Sequence, residues 1–197
     1  MEVTTFIYFV RHAESIYVEG TESSRSLSEK GMADALTIKD ILKTEEIDYF
    51  ISSPYERSIE TIRPTAIEYL KDIKIEEDLR ERNIGKFSSI SFKEAKCQVY
   101  ADIHYAFPQG ESSLIAQKRS VKVMEDILET YEGKKIVIGT HGDIMTLMMN
   151  HFDKQYGFNF WESTSMPDIY KLRFEEKRLK NSTRIWESLL EEGNGIS

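Results

Sequence analysis

The chain has 197 residues, 40% of them hydrophobic and 30% charged, with a formal net charge of -8 and a single cysteine, Cys97. Such a length and composition suit a soluble globular protein with a sizeable buried core, read as one domain over residues 1–197. The acidic balance argues against broad binding to nucleic acid or to an anionic membrane, and a lone cysteine excludes a disulfide within the chain.

No apolar run is long enough to span a bilayer. The N-terminal apolar run is short and is cut by Arg11, unlike a secretory signal. The expectation is a cytoplasmic protein with neither nucleic acid nor membrane as a partner. A small anionic substrate remains compatible, because a site can be locally basic.

In chain order, Thr5 to Val10 predicts a buried strand and residues 13–26 a polar loop. Ser28 suits the N-cap of a helix with Met32, Ala35, Leu36, Ile38 and Leu42 at helical spacing. A second strand is expected from Ile47 to Ser52. Ser53-Pro54-Tyr55-Glu56 then predicts a helix start, with Ser53 as N-cap, Pro54 at the first helical position and Glu56 closing a capping box. Ile59, Ile62, Ala66, Ile67 and Leu70 predict its buried side, and Pro64 predicts a kink or an early end. Ile73-Lys74-Ile75 reads as a short edge strand, and residues 77–111 as the least regular part, with a helix near 91–104. A long helix is expected from Glu111 to Tyr131, with Leu114, Val121, Met124, Ile127 and Leu128 inward. A strand at Ile136–Ile138, a helix from Gly142 to His151 and a pair of strands between Ile169 and Trp186 complete the reading. Strands alternating with helices predict an α/β fold: three layers, α/β/α, around a doubly wound, mostly parallel sheet.

In such sheets ligands bind beyond the carboxyl ends of the strands. Two of the chain's four histidines, His12 and His141, lie there. An imidazole past a buried strand can attack an electrophile, and Arg11 beside it can grip the anion attacked, because guanidinium binds phosphate oxygens bidentately. Arg57 falls in the first turn of a predicted helix, an end attractive to anions. Gly142 after His141 permits close approach of backbone. Glu81, within Leu79-Arg80-Glu81-Arg82-Asn83-Ile84-Gly85, would alone be one charge in a polar loop.

Together the segments resemble the histidine phosphatase superfamily, of phosphoglycerate-mutase-like fold. Arg11-His12-Ala13-Glu14-Ser15 is similar to its R-H-G/A-E-S signature, and Leu27-Ser28-Glu29-Lys30-Gly31 to the helix entry that follows. Ser52-Ser53-Pro54-Tyr55-Glu56-Arg57-Ser58-Ile59-Glu60-Thr61 is similar to S-S-x-x-x-R-A-x-Q-T, and Leu79 to Gly85 to L-x-E-x-x-x-G. Pro108-Gln109-Gly110-Glu111-Ser112 and Thr140-His141-Gly142-Asp143 resemble the P-x-G-E-S and S/T-H-G-x stretches. The six segments keep their order over roughly residues 6–150.

The resemblance implies a phosphomonoester hydrolase with His12 as nucleophile, forming a phosphohistidine. Arg11, Arg57 and His141 would hold the phosphate oxygens, with Gly142 and Ser15 as further contacts, and Glu81 would be the proton donor. It implies no metal and no cofactor, since arginines and a histidine supply the positive charge. Many relatives carry Asn where this chain has Val18, and Tyr17 or Ser15 would fill that place or the contact is absent. A mutase of this fold carries a longer, basic, proline-rich insertion, whereas only residues 82–107 stand here between the acid and P-x-G-E-S. Phosphatase is therefore the first reading and cofactor-dependent phosphoglycerate mutase the second. A catalytically inactive module that binds phosphorylated ligands is the third. The partner is a small phosphorylated substrate whose identity the sequence leaves open. Phe87, Phe92, Tyr100, Tyr105 and Phe107 are expected as an apolar wall, with Lys93 and Lys96 at a rim. His104 and His151 carry no assigned role, and the tail strands offer an edge for a homodimer.

Overall fold

A computed structural model of the protein describes residues 3–186. The expected domain over 1–197 also takes in residues 1, 2 and 187–197, which lie outside the described residues. The strands are β1 (Thr4–Arg11), β2 (Tyr49–Ser52), β3 (Ile73–Ile75), β4 (Lys135–Thr140), β5 (Asp168–Glu175) and β6 (Arg178–Arg184). The helices are α1 (Glu29–Leu42), α2 (Glu56–Glu68), α3 (Phe92–Ala101), α4 (Ser113–Thr130), α5 (Gly142–Phe152) and α6 (Phe158–Ser163).

One sheet runs in the order β3-β2-β4-β1-β5-β6. The first four of these are mutually parallel, and β5 and β6 add an antiparallel hairpin at the far edge. The central strand β1 is apolar without alternation because both its faces are covered. Ile7 and Phe9 join the core formed with α4 and α5, while Tyr8 and Val10 join the core formed with α1 and α2. This two-sided packing makes the predicted three layers, α/β/α.

Local signals explain most boundaries. Ser28 caps α1 by accepting from the Gly31 N–H at 3.0 Å. Ser91 and Glu94 form a capping box at the start of α3. The buried side of α1 is Gly31, Ala35, Ile38 and Leu42, so Met32 and Leu36, expected inward, are exposed.

Helix α2 departs furthest from expectation. It starts at Glu56 with Tyr55 at the N-cap, so Ser53 is not its cap, and it runs through Pro64 to Glu68 rather than ending early. Its buried side carries Arg57, Ser58, Thr61 and Thr65 beside Ile62 and Ala66, whereas Ile67 and Leu70 are exposed. The polar side is inward because it abuts strand ends. Thr61 Oγ1 accepts from the Ala13 N–H at 3.0 Å, and Ser58 Oγ donates to the Thr140 carbonyl at 3.3 Å. The short helix α6 is absent from the sequence-based reading. Among the described residues, no helix is long and apolar enough to cross a membrane.

Candidate active site

The register of β1 against β4 assembles the centre of the site. Arg11 pairs with Thr140, so the residues that follow them leave the sheet side by side. The His12 N–H donates to the Thr140 carbonyl at 3.0 Å, and the rings of His12 and His141 stand 5.2 Å apart. The two histidines thus meet because neighbouring parallel strands end at the same level.

His12 is 5% exposed, and its Nδ1 lies 2.8 Å from the Ala13 carbonyl oxygen. A carbonyl only accepts, so Nδ1 carries the hydrogen and the lone pair of the neutral ring is on Nε2. Burial, and then the Arg57 charge, lower the His12 pKa to about 3. The ring is therefore neutral at ordinary pH. His141 is wholly buried, and burial, then its closeness to His12 and to the Arg57 charge, holds its pKa far below the usual value. Its Nε2 lies 2.7 Å from Ser53 Oγ, while Nδ1 is buried without a partner. Ser53, expected as a helix cap, instead orients this ring.

A cavity of about 630 Å³ opens in front of His12. One wall carries Arg11, Arg25 and Arg57 with Glu22 and Tyr55. Arg11 donates to the Thr164 carbonyl and to Thr164 Oγ1 at 3.1 and 2.6 Å. A Cβ on Gly142 would meet Arg11 Cζ at 3.0 Å, so this glycine makes room for the guanidinium. Arg57 is 1% exposed and reaches the Glu22 backbone carbonyl and, at 3.0 Å, Glu22 Oε1.

Glu81 lines the same cavity. Its carboxyl accepts from the Arg82 N–H at 2.8 Å and from the Asp143 and Ile144 N–H groups, both at 3.2 Å, at the start of α5. Burial raises its pKa, and the Asp143 charge adds to that; Lys96 and the backbone donors pull the other way without prevailing. Asp143 itself is fully buried and stays ionised. Burial opposes its charge, but Lys96 and Arg82 more than compensate. Arg82 donates Nε and Nη2 to Asp143 Oδ2 at 3.1 and 2.9 Å, Lys96 Nζ bonds the same oxygen, and Tyr100 donates to Oδ1 at 3.0 Å.

Four of the sequence-predicted residues, Arg11, His12, Arg57 and Glu81, line one cavity, and His141 stands against His12 behind it. Ser15 forms an isolated bridge with Leu27 and is not in the cavity lining. Of the five expected wall aromatics only Phe92 lines the cavity, joined by Trp161 and Met166. Phe107 meets the Phe87 ring at a tilt and the Tyr105 ring edge-on, and with Phe87 it packs in a separate small core. Lys96 is buried over the Phe92 and Trp161 rings, 5.0 and 5.4 Å from their centroids, not at a rim; Lys93 pairs with Glu162. Sequence reasoning missed Arg25, Asp143 and Trp161, which reach the site only through tertiary contacts.

A neutral imidazole lone pair, several guanidiniums and a carboxyl whose pKa is raised by burial can together displace an alcohol from a phosphoryl group. A family described as the histidine phosphatase superfamily (branch 1) matches residues 7–184. The chain is 25% identical to a probable phosphatase of Schizosaccharomyces pombe, over 96% of this chain and 89% of that protein. It is 26% identical to a metal-independent phosphoserine phosphatase of Arabidopsis thaliana, over 72% of this chain and 66% of that protein. The structure of a phosphoserine phosphatase from Entamoeba histolytica in complex with 3-phosphoglyceric acid superposes with a TM-score of 0.74 at 18% identity, covering 92% of this chain and 98% of that one.

Proposed function

We propose that this chain, which belongs to the histidine phosphatase superfamily, is a metal-independent phosphomonoester hydrolase working through a phosphohistidine on His12. The observation that carries the reading is the His12 ring: neutral, tied at Nδ1 to the Ala13 carbonyl, and bordering a cavity walled by arginines.

In the first step His12 Nε2 attacks phosphorus, and the bond from phosphorus to the ester oxygen breaks. Glu81 gives its proton to the departing alcohol oxygen and becomes a carboxylate. Arg11 and Arg57 bear on the non-bridging oxygens as charge develops. His141, held at Nε2 by Ser53, donates Nδ1–H toward the phosphoryl group in the tautomer in which the Ser53 hydroxyl donates to Nε2. In the second step Glu81 takes a proton from water, the water oxygen attacks phosphorus, and the phosphorus–nitrogen bond breaks. Phosphate leaves, with His12 neutral and Glu81 protonated again. The raised Glu81 pKa suits this alternation of donor and acceptor.

The test is an assay with chelator present against a panel of phosphomonoesters, phosphoserine included, and against 3-phosphoglycerate with trace 2,3-bisphosphoglycerate. The expected result is phosphate release, blocked by vanadate and abolished in His12→Ala with the fold intact. Near wild-type release in that variant would sink the mechanism. Isomerisation with little phosphate release would make the protein a mutase. Silence from a folded protein would leave a phospho-ligand binding module.

A further inference from the structure

We propose that Arg25 is a phosphate-binding residue of this site, and that the Glu22 carboxylate competes with the phosphoryl group for it and for Arg57. The proposal deepens, and rests on, the reading of the cavity as a phosphomonoester site.

The segment between β1 and α1 is exposed but firmly pinned. Ser15 and Leu27 close its base as an antiparallel bridge, with the Ile16 N–H donating to the Ser26 carbonyl at 3.0 Å. The Leu27 N–H donates to Glu60 Oε2 at 2.8 Å, and the Glu56 N–H to the Ser23 carbonyl at 2.9 Å, so two points bind the segment to α2. Within it the Arg25 N–H donates to the Thr21 carbonyl at 2.9 Å, closing a tight turn. The backbone of Arg25 is thereby fixed, and its side chain, 15% exposed, lines the same cavity as His12 and Arg57.

The donors there exceed their acceptors. A guanidinium offers five N–H groups. Arg25 makes an ion pair with Glu22 Oε2 at 3.3 Å and lies 5.6 Å from the Tyr17 ring, while its Nε is buried without a partner. The Nε atoms of Arg11 and Arg57 and Nδ1 of His141 are likewise buried without partners. Three unpartnered Nε donors on residues that line one cavity ask for an anion with several acceptor oxygens, which a phosphoryl group has and a single carboxylate lacks.

Glu22 marks where two of those oxygens would sit. Its carboxylate places Oε1 on Arg57 and Oε2 on Arg25, bridging the two cations as a pair of phosphate oxygens would. The Glu22 side chain is 55% exposed, so it can turn to solvent when a stronger anion arrives. Arg25 also bears electrostatically on both His12 and His141, in keeping with its place at the centre. Val18, by contrast, is exposed and outside the cavity lining, so the contact that many relatives make with Asn there is not made from that position. Arg25 supplies a cation from the other limb of the same loop.

The test is a titration of wild type, Arg25→Gln, Glu22→Gln and the double variant with orthovanadate and with inorganic phosphate, read by calorimetry and by inhibition of 4-nitrophenyl phosphate hydrolysis. Arg25→Gln is expected to weaken both anions about ten-fold or more, the loss of a charge-assisted contact. Glu22→Gln is expected to tighten them several-fold, and the double variant to lose most of that gain. Arg25→Gln binding within two-fold of wild type, or Glu22→Gln binding more weakly, overturns the proposal while leaving the hydrolase reading in place. If wild type binds the anions but releases no phosphate from any ester, the hydrolase reading falls and the same calorimetric titration still decides Arg25. If folded wild type binds neither anion, both fall.

Discussion

On one wall of the cavity Arg11, Arg25 and Arg57 each keep a buried Nε without an acceptor. Elsewhere in its lining, Arg82 and Lys96 turn their donors onto Asp143, and Tyr100 completes the cage. The residue types are the same and their use is opposite. Cations short of acceptors form a place for an anion. Cations closed around a buried carboxylate spend their donors within a frame, and such frames are strongly destabilised when one partner is removed. Glu81 lies where the two meet, its carboxyl held by the backbone of Arg82, Asp143 and Ile144. The frame contributes more than support, because the Asp143 charge helps to raise the Glu81 pKa.

The contrast breaks most visibly at Glu81. Glu81→Gln is expected to slow hydrolysis of alkyl phosphates by roughly 10²–10⁴-fold, the usual worth of a general acid. The loss should be much smaller for 4-nitrophenyl phosphate, whose leaving group needs no proton. Equal losses on both would remove Glu81 from the acid's role.

Asp143→Asn attacks the frame itself. It leaves Arg82 and Lys96 buried without their counter-charge, and breaking a buried pair costs about 3–5 kcal/mol, measurable by urea unfolding. The pH profile gives a second reading. Glu81 acts as acid only while protonated, and its pKa is raised, so activity is lost as pH rises through that value. With Asp143 neutral, one cause of the rise is gone, and the alkaline fall in kcat/KM is expected at lower pH. An unmoved alkaline limb would make Asp143 purely structural.

The mildest expected effect is that of Ser53→Ala. It removes the partner of His141 Nε2 at 2.7 Å and leaves a buried ring nitrogen unpaired, a cost of about 1–3 kcal/mol. Weaker phosphate inhibition alongside that loss would show that ring orientation serves binding; unchanged inhibition would confine Ser53 to stability.

Much of this organisation was legible beforehand where chemistry is local. Strand β1, the Ser28 cap, the strand before His141 and the terminal hairpin all follow from short-range pattern. So do Arg11, His12, Arg57, Glu81 and His141, because their segments stand in a familiar order. What misled was the assumption that helices bury apolar faces. Helix α2 buries Arg57, Ser58, Thr61 and Thr65 since its inward side meets strand ends and the cavity, and its Ile67 and Leu70 are exposed. Ser53 carried a cap-like pattern yet serves His141, which lies 88 positions further along. Arg25 and Asp143 look like ordinary charged positions in the sequence, and Lys96 reads there as a rim residue. Their roles come from distant partners, such as the 47 positions between Lys96 and Asp143, which no local pattern encodes.

The β1–β4 register has a consequence for motion. His12 and His141 hang from the ends of two central strands, buried on both faces, whose alignment runs from Phe6 against Lys135 to Arg11 against Thr140. Fraying of the loops or of the edge hairpin leaves that pair of strands joined, so the two imidazoles separate only when the middle of the sheet opens. Anion binding should therefore protect the amides of β1 and β4 from hydrogen exchange by an amount set by ligand concentration over Kd. The exchange of these strands becomes a gauge of how firmly the phosphoryl pocket is held.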